Sequence, residues 1–254
     1  MAMIKPGGAA LTKKAIEIAK LPENATVLDA GCGEGDTVAL LCEQFGFTAT
    51  GADQSSKMID KGKARREGLD IRKMEAEFLE FESNHFDAVF MECSLSVFRL
   101  QEDAVFEAYC VLKPGGKLII SDLYLKNPDP SAVATMLAEA RKKASHPKHE
   151  GACGENERPS TIMLDGAIVV GELATMAEEL GFVIEHFSDE SEALAGFAAQ
   201  AIMGHGSLEE YFKAVVPEGE DPSSYCPCGA FETKDLGYFL MILAKPEQKI
   251  VIAK

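Results

Sequence analysis

The chain has little positive charge and no long hydrophobic run. Among its 254 residues, 25 are lysine or arginine and 41 are aspartate or glutamate, so the formal net charge is −16. A surface of that sign repels a polyphosphate backbone, and nucleic acid is therefore not expected as a partner. No stretch reaches the ~18 consecutive apolar residues of a membrane-spanning helix. The N-terminal residues also lack the apolar core of a signal peptide, so we expect a cytoplasmic protein without a membrane partner.

Disulfide bonds are not expected either. The chain contains 7 cysteines, an odd number, and it shows no export signal. Each cysteine is therefore predicted to be either a buried small side chain or a thiol with a chemical role.

Apolar runs of strand length alternate with segments of helix length in the first half of the chain. Strands are predicted at 26–30, 48–52, 70–74, 86–92 and 117–123, and a helix precedes or follows most of them. Strands separated by helices of about ten residues pair in parallel through right-handed crossovers. The sequence therefore predicts an α/β fold with a doubly wound, Rossmann-like sheet.

The regular rhythm ends after residue 124. Helices are predicted at 133–140, 169–180 and 190–203, the last one ended by Gly204, and strands at 182–187 and 237–244. We expect these helical insertions to cap the carboxyl ends of the strands, where an open α/β sheet binds its ligands. The prediction is a single domain made of a cofactor-binding core (1–124), cap insertions with the sixth strand (125–236), and a final strand with a tail (237–254).

A glycine-rich turn follows the first predicted strand. Residues 27–35 read Val-Leu-Asp-Ala-Gly-Cys-Gly-Glu-Gly, and the second strand is followed by Asp53. Glycines let the backbone approach a nucleoside, and a carboxylate can receive its ribose hydroxyls. A dinucleotide fingerprint needs a third glycine at position 36, where this chain has Asp36. Because Asp29 and Asp36 would repel a pyrophosphate, we infer a positively charged nucleoside, and S-adenosylmethionine is the obvious candidate.

Four sequence blocks in the same order resemble the class I S-adenosylmethionine-dependent methyltransferases. The glycine-rich turn is followed by Gly-Ala-Asp-Gln-Ser around Asp53, Phe-Asp-Ala-Val-Phe from Phe86 and Val-Leu-Lys-Pro-Gly-Gly-Lys-Leu from Val111. The resemblance runs from near Pro6 to Leu123 and resumes over the final helix and strands. It implies a seven-stranded, mostly parallel sheet with an antiparallel last strand, and transfer of a methyl group.

The resemblance also implies which residues bind the cofactor. In that family the glycine-rich turn approaches the methionine end, and the acid after the second strand binds the ribose. An acidic residue followed by a small one holds the adenine, and an apolar side chain packs on the ring. On this chain the corresponding cofactor-binding residues are Asp29, Gly31, Gly33, Gly35, Asp53, Gln54, Met58, Glu75 and Ala76.

The end of the fourth predicted strand is where the methyl group is expected. It reads Met-Glu-Cys-Ser from Met91, without the Asn/Asp-Pro-Pro-aromatic sequence typical of enzymes that methylate amino groups of nucleic acids and proteins. We therefore predict a small-molecule or soft acceptor, and we place Glu92 and Cys93 at the site of catalysis. The alternative for Cys93 is a packing role. A thiolate or metalloid acceptor would need no general base.

Three cysteines in the irregular stretches form a candidate soft-ligand site. Cys153 precedes the sixth strand, and Cys226 and Cys228 belong to a Cys-Pro-Cys sequence before the last one. Their placement is similar to that of the cysteines with which arsenite methyltransferases hold trivalent arsenic. The resemblance implies a site for a thiophilic element or a metal such as zinc. Surface cysteines or a structural metal site are the alternatives.

Two functions from other classes stay open at this point. A nicotinamide-dependent oxidoreductase is disfavoured by Asp36, and a non-catalytic sensor of S-adenosylmethionine or of a metal would keep the same fold. Neither the methyl acceptor nor the oligomeric state is predicted.

Overall fold

A central sheet with helices on both faces organises the computed structural model, which describes residues 5–144, 160–164, 166–216 and 235–247. The helices are α1 (Gly8–Ala19), α2 (Asp36–Phe45), α3 (Ser56–Arg65), α4 (Gln101–Val111), α5 (Pro130–Ala144), α6 (Val170–Leu180), α7 (Ser191–His205) and α8 (Leu208–Val215). The strands are β1 (Thr26–Ala30), β2 (Thr48–Asp53), β3 (Ile71–Lys73), β4 (Phe86–Glu92), β5 (Leu112–Leu125), β6 (Met163–Leu164), β7 (Ala167–Ile168), β8 (Val183–Asp189) and β9 (Leu236–Ala244). Within these ranges, no helix is long and apolar enough to cross a membrane.

The strand order is that of a doubly wound sheet. Strands β3, β2, β1, β4 and β5 lie side by side in this order, and each pairs in parallel with the next. Strand β9 pairs antiparallel with β5, from Lys117 opposite Ala244 to Leu125 opposite Leu236, and β8 pairs antiparallel with β9. These strands confirm the predicted seven-stranded, mostly parallel sheet with an antiparallel last strand. The short β6–β7 hairpin, which joins β5 at Tyr124, was not predicted.

Alternate residues of the central strands face two different helix layers. Leu28 and Val89 pack in one apolar cluster with residues of α4 and α6. Val27 and Phe90 pack in a second cluster with residues of α1, α2 and α3. Because both faces of these strands are buried, their sequences read as continuous apolar runs rather than as alternating ones.

Two local predictions were wrong. Gly204 lies inside α7, which continues to His205 and ends at Gly206. The φ of Gly206 is 87°, in the left-handed region where a residue without Cβ has no steric penalty. Strand β5 begins at Leu112 rather than at residue 117, and the Lys-Pro-Gly-Gly sequence forms an irregularity in its pairing with β4.

Helices α7 and α8 lie over the carboxyl ends of the central strands. Their side chains Leu194, Phe197 and Phe212 line the same cavity as Asp29 at the end of β1 and Glu92 at the end of β4. Part of the segment predicted to cap the sheet therefore forms one wall of that cavity.

Candidate functional site

Two cavities lie at the carboxyl ends of β1, β2 and β4, and they share a boundary. The first, here called the β2–β3 cavity, is lined by residues that follow β2 and β3. The second, the α7–α8 cavity, lies between the glycine-rich turn, Lys5, the end of β4 and the two helices that name it. Residues that line both cavities are Gly31, Gly33, Met58, Cys93 and Val97. A ligand longer than either cavity could therefore occupy both.

Most of the residues predicted to bind a cofactor line these two cavities. The β2–β3 cavity contains Asp53, Gln54, Glu75 and Ala76, the α7–α8 cavity contains Asp29, and Gly31, Gly33 and Met58 border both. Gly35 lines neither of them. It precedes α2 with a φ of 76°, and a Cβ there would lie 3.1 Å from Ile71 and 3.2 Å from Leu69. Its position indicates a role in starting α2 against β3 rather than in touching a ligand.

The backbone of the glycine-rich turn is held close to its neighbours. Gly31 has a φ of 80°, and a Cβ added to it would lie 2.4 Å from the Cβ of Ser94. The N–H of Gly33 donates to Asp53 Oδ2 at 2.8 Å, and the N–H of Ser55 donates to Asp53 Oδ1 at 2.8 Å. These two bonds orient the Asp53 carboxylate at the border of the β2–β3 cavity.

Asp29 is a buried carboxyl group, only 3% exposed, in the wall of the α7–α8 cavity. The pKa of Asp29 is raised to about 8, first by burial and then by the nearby Glu92 carboxylate, while the Lys5 ammonium opposes the rise. A cation bound beside Asp29 would favour the ionised form. A positive ligand in this cavity would therefore lower the pKa of Asp29 and favour its negative charge.

Glu92 belongs to a buried cluster that the sequence did not predict. The Lys5 ammonium contacts Glu92 Oε2, and the two side chains are 7% and 3% exposed. Lys5 Nζ also donates to the hydroxyl oxygens of Thr12 and Thr37, each at 2.9 Å. Thr12 donates to Glu92 Oε1 at 2.8 Å and Thr37 to Oε2 at 3.1 Å. Both oxygens of Glu92 are thus occupied, which argues against its acting as a free base; its predicted place at the site of catalysis stays a prediction.

Cys93 follows β4 with an unusual backbone conformation. Its φ is 58°, in the left-handed region, and its N–H donates to the carbonyl oxygen of Ser121 at 2.7 Å. Burial raises the pKa of the Cys93 thiol to about 12, the carboxylate of Asp122 adds to the rise, and a hydrogen bond with Tyr238 opposes it. Because the thiolate is the nucleophilic form, this thiol is poorly suited to attack a substrate.

Asp122 anchors the loop that follows β4. Its carboxylate accepts from the Ser96 N–H at 2.9 Å, from the Ser96 hydroxyl at 2.7 Å and from the Leu123 N–H at 2.7 Å. Burial raises its pKa to about 6, although the hydrogen bonds from Ser96 and Leu123 lower it. Asp122 was not predicted as a site residue, yet it fixes Ser96, which lines the α7–α8 cavity.

The acidic residues of the glycine-rich turn are paired with basic residues of α3 and its end. Asp36 Oδ1 accepts from Arg65 at 2.5 Å and from Arg66 at 3.1 Å. Glu34, which is 5% exposed, contacts Arg65 and lies 2.6 Å from the ammonium of Lys61. Repulsion of a pyrophosphate by Asp36 is therefore weaker than the sequence indicated, because its two arginine partners cannot be read from the motif.

The three cysteines of the predicted soft-ligand site, Cys153, Cys226 and Cys228, lie outside the described residues. The site therefore stays a prediction. Over the described ranges, no group of three or more histidine, cysteine or acidic side chains is arranged to hold a metal. Cys32, Cys42, Cys93 and Cys110 are free thiols.

Comparison with known proteins agrees with the strand order and the glycine-rich turn. Residues 28–120 match the family model described as a methyltransferase domain. Over these residues the chain is similar to the methyltransferase domains of class I. The cofactor of this class is S-adenosylmethionine, and the residues present fit it. The glycine-rich turn leaves room for close approach, Asp53 is oriented at the cavity border, and Asp29 can gain a negative charge beside a sulfonium or ammonium group.

Individual relatives support the fold and cover different shares of this chain. An uncharacterized methyltransferase of Bacillus subtilis, YodH, is 39% identical over 131 residues, which are 50% of this chain and 55% of that protein. Phosphoethanolamine N-methyltransferase 2 of Haemonchus contortus, solved with S-adenosylmethionine, has a TM-score of 0.65 at 18% identity, covering 96% of this chain and 54% of its own. The [4+2]-cyclase SpnF has a TM-score of 0.63 at 23% identity, covering 94% and 81%. The chain spans about half the length of the curated relatives it matches.

Proposed function

We propose that this protein transfers a methyl group from S-adenosylmethionine to a small molecule bound in the α7–α8 cavity. The observation that carries the proposal is the shared boundary of the two cavities at Gly31, Gly33 and Cys93. A cofactor whose adenosine occupies the β2–β3 cavity has its methionine end at this boundary, on the side of Asp29. The acceptor would then enter from the side of α7 and α8.

Each cofactor contact has a residue of suitable chemistry. Asp53 would accept the ribose hydroxyls, Glu75 and Ala76 would border the adenine, and Met58 would pack on it. Asp29 would face the positive charge of the methionine end, which favours its ionised form. These roles combine the resemblance with the positions of the side chains in the two cavities.

The chemistry requires alignment and exclusion of water more than it requires proton transfer. Methyl transfer is an in-line displacement, so the enzyme must hold the nucleophile, the methyl group and the sulfur in line. Apolar side chains of α7 and α8 shield the α7–α8 cavity, which would keep water from the reacting atoms. Among the described residues that line this cavity there is no histidine, and Glu92 is fully engaged. The arrangement favours an acceptor that needs no strong base, such as a nucleophilic carbon atom, a soft thiol or a metalloid.

Replacing Asp53 with alanine tests the cofactor part of this proposal. Hydrogen bonds to a charged group contribute about 1.5–3 kcal/mol, so we expect S-adenosylmethionine to bind roughly 10- to 100-fold more weakly. Isothermal titration calorimetry with S-adenosylmethionine measures the change. Asp60→Ala, which removes an exposed carboxylate from the neighbouring helix α3, is the matched control and should bind as the wild type does. Equal affinity in the Asp53 variant would show that the cofactor lies elsewhere.

The methyl-transfer step is tested by product formation. The protein is incubated with S-adenosylmethionine and a panel of phenols, thiols, secondary amines and arsenite, and S-adenosylhomocysteine is quantified by mass spectrometry.

A second candidate function is one in which the protein binds the cofactor but transfers no methyl group. It is favoured by the similarity of the fold to that of a protein named as a [4+2]-cyclase. Tight cofactor binding without product from any acceptor would favour that second function, whereas binding of NAD alone would revive the oxidoreductase.

Cys93→Ala separates a packing role from a catalytic one. Because burial raises the pKa of the Cys93 thiol to about 12, little of it is thiolate near neutral pH, which disfavours a role as nucleophile. We expect the variant to keep cofactor affinity and turnover within a few-fold of the wild type. Cys42→Ala, at an exposed position, is the control. A loss of turnover with unchanged cofactor affinity would restore the catalytic role.

A further inference from the structure

All but one of the charged side chains that line the α7–α8 cavity are in ion pairs. The charged side chains that line it are Lys5, Asp29, Glu34, Asp36 and Glu92. Glu34 and Asp36 are paired with Lys61, Arg65 and Arg66. Lys5 is paired with Glu92 inside the cavity. Asp29 remains, and in the proposed function it faces the cation of the cofactor.

The Lys5–Glu92 pair leaves little hydrogen-bonding capacity for a ligand cation. An ammonium group has three donors, and those of Lys5 reach Glu92, Thr12 and Thr37. The Glu92 carboxylate accepts from the same three residues. A carboxylate at the end of β4 would otherwise attract an amine. Here the Glu92 carboxylate is already paired with the ammonium group of Lys5.

The part of the cavity lining that α7 and α8 supply is apolar. Leu194 and Phe212 are 8% and 6% exposed, and Phe197 and Val215 line the same surface. An aromatic face attracts a cation by about 0.5–2 kcal/mol. Removing an unpaired ion from water costs several kcal/mol. The aromatic contribution is the smaller of the two, so the surface disfavours a cationic acceptor.

We propose that the Lys5–Glu92 pair is a specificity determinant that makes the α7–α8 cavity accept an uncharged, largely apolar molecule and reject a cationic amine of the same size. The proposal rests on the proposed function, because it takes this cavity as the acceptor site. Lys5 is the decisive partner, since without it Glu92 would be a buried carboxylate facing the acceptor.

Two probes of matched shape test the selectivity. The protein is saturated with S-adenosylhomocysteine, and the binding of 2-phenylethanol and 2-phenylethylamine is measured by calorimetry at pH 7, where the amine is protonated. We expect the wild type to bind the alcohol at least ~10-fold more tightly than the amine. Lys5→Met should reverse the order, because it leaves the Glu92 carboxylate to pair with the amine.

A double variant guards against a folding defect in Lys5→Met. Lys5→Met/Glu92→Gln carries no charge at this position and should again prefer the alcohol. Equal binding of the two probes by the wild type, preference for the amine, or binding of neither would each overturn the proposal. A titration with S-adenosylhomocysteine beforehand distinguishes failure of this proposal from failure of the proposed function. If S-adenosylhomocysteine does not bind, both the proposed function and the specificity role are wrong. If it binds but the two probes are not distinguished, only the specificity role is wrong.

Discussion

Replacing Asp29 with asparagine is expected to stabilise the cofactor-free protein at pH 8 and to weaken its binding of S-adenosylmethionine. Asp29 is 3% exposed, and burial raises its pKa from 3.8 to about 8. The folded state therefore keeps a proton that the unfolded chain releases above about pH 4, and folding becomes less favourable as the pH rises from there to about 8. Asparagine has a similar shape and never ionises, so this loss disappears in the variant.

The size of the effect follows from the pKa. One pKa unit corresponds to about 1.4 kcal/mol, so the rise from 3.8 to about 8 limits the gain in unfolding free energy to about 6 kcal/mol. We expect a gain of a few kcal/mol at pH 8 and a much smaller one at pH 5. Cofactor affinity should fall in the same variant, because asparagine cannot take the negative charge that a bound cation favours.

Urea denaturation of wild type and variant at pH 5 and pH 8, without cofactor, measures the stability difference, and calorimetry measures the affinity. Asp60→Asn, at an exposed position on α3, is the control and should change neither quantity. If the Asp29 variant is less stable than the wild type at pH 8, the buried carboxyl group is held by contacts that asparagine cannot replace.

Gly62→Ala is expected to destabilise the protein by roughly 2 kcal/mol and to weaken cofactor binding. Gly62 lies in α3, where alanine would ordinarily stabilise a helix by about 1 kcal/mol. Here a Cβ would lie 2.3 Å from the carbonyl oxygen of Glu34 and 2.8 Å from its carbon. Backbone atoms cannot rotate away as a side chain can, so α3 and the glycine-rich turn must move apart. Because Glu34 lies between Gly33 and Gly35, the movement reaches the cofactor site.

Gly196→Ala is the matched control for this substitution. Gly196 lies inside α7, and a Cβ there meets no atom within 4 Å. The same change should therefore stabilise the protein by about 0.5–1 kcal/mol. Urea denaturation of both variants and titration with S-adenosylmethionine give the two comparisons. If both substitutions change the free energy of unfolding in the same direction, the close approach of α3 to the turn is not the reason for glycine at position 62.

The elements that the sequence predicts best are those whose pattern is local. Strands β1 and β4 occur at 26–30 and 86–92 as predicted, since each is a continuous apolar run next to a turn. The end of α7 was misplaced because Gly204 and Gly206 are both compatible with a helix end, and only the observed backbone shows which one takes the left-handed conformation.

The surroundings of Glu92 could not be predicted in the same way. Lys5, Thr12 and Thr37 come from the segment before α1, from α1 and from α2, and they meet at Glu92 only through the packing of those helices on the sheet. No local pattern marks them. The raised pKa of Asp29 has the same origin, because it depends on burial and on neighbours that are distant in sequence.

The antiparallel pairing of β9 with β5 has a consequence for biosynthesis. A ribosome makes β5 well before β9, and from Lys117 to Leu125 every residue of β5 has its partner in β9. Until the chain reaches residue 244, the growing protein presents an unpaired strand edge with buried-type residues such as Ile119 and Ile120. Such an edge is a template for association with other chains. The nascent polypeptide is therefore exposed to association through this edge during the interval between the synthesis of these two strands.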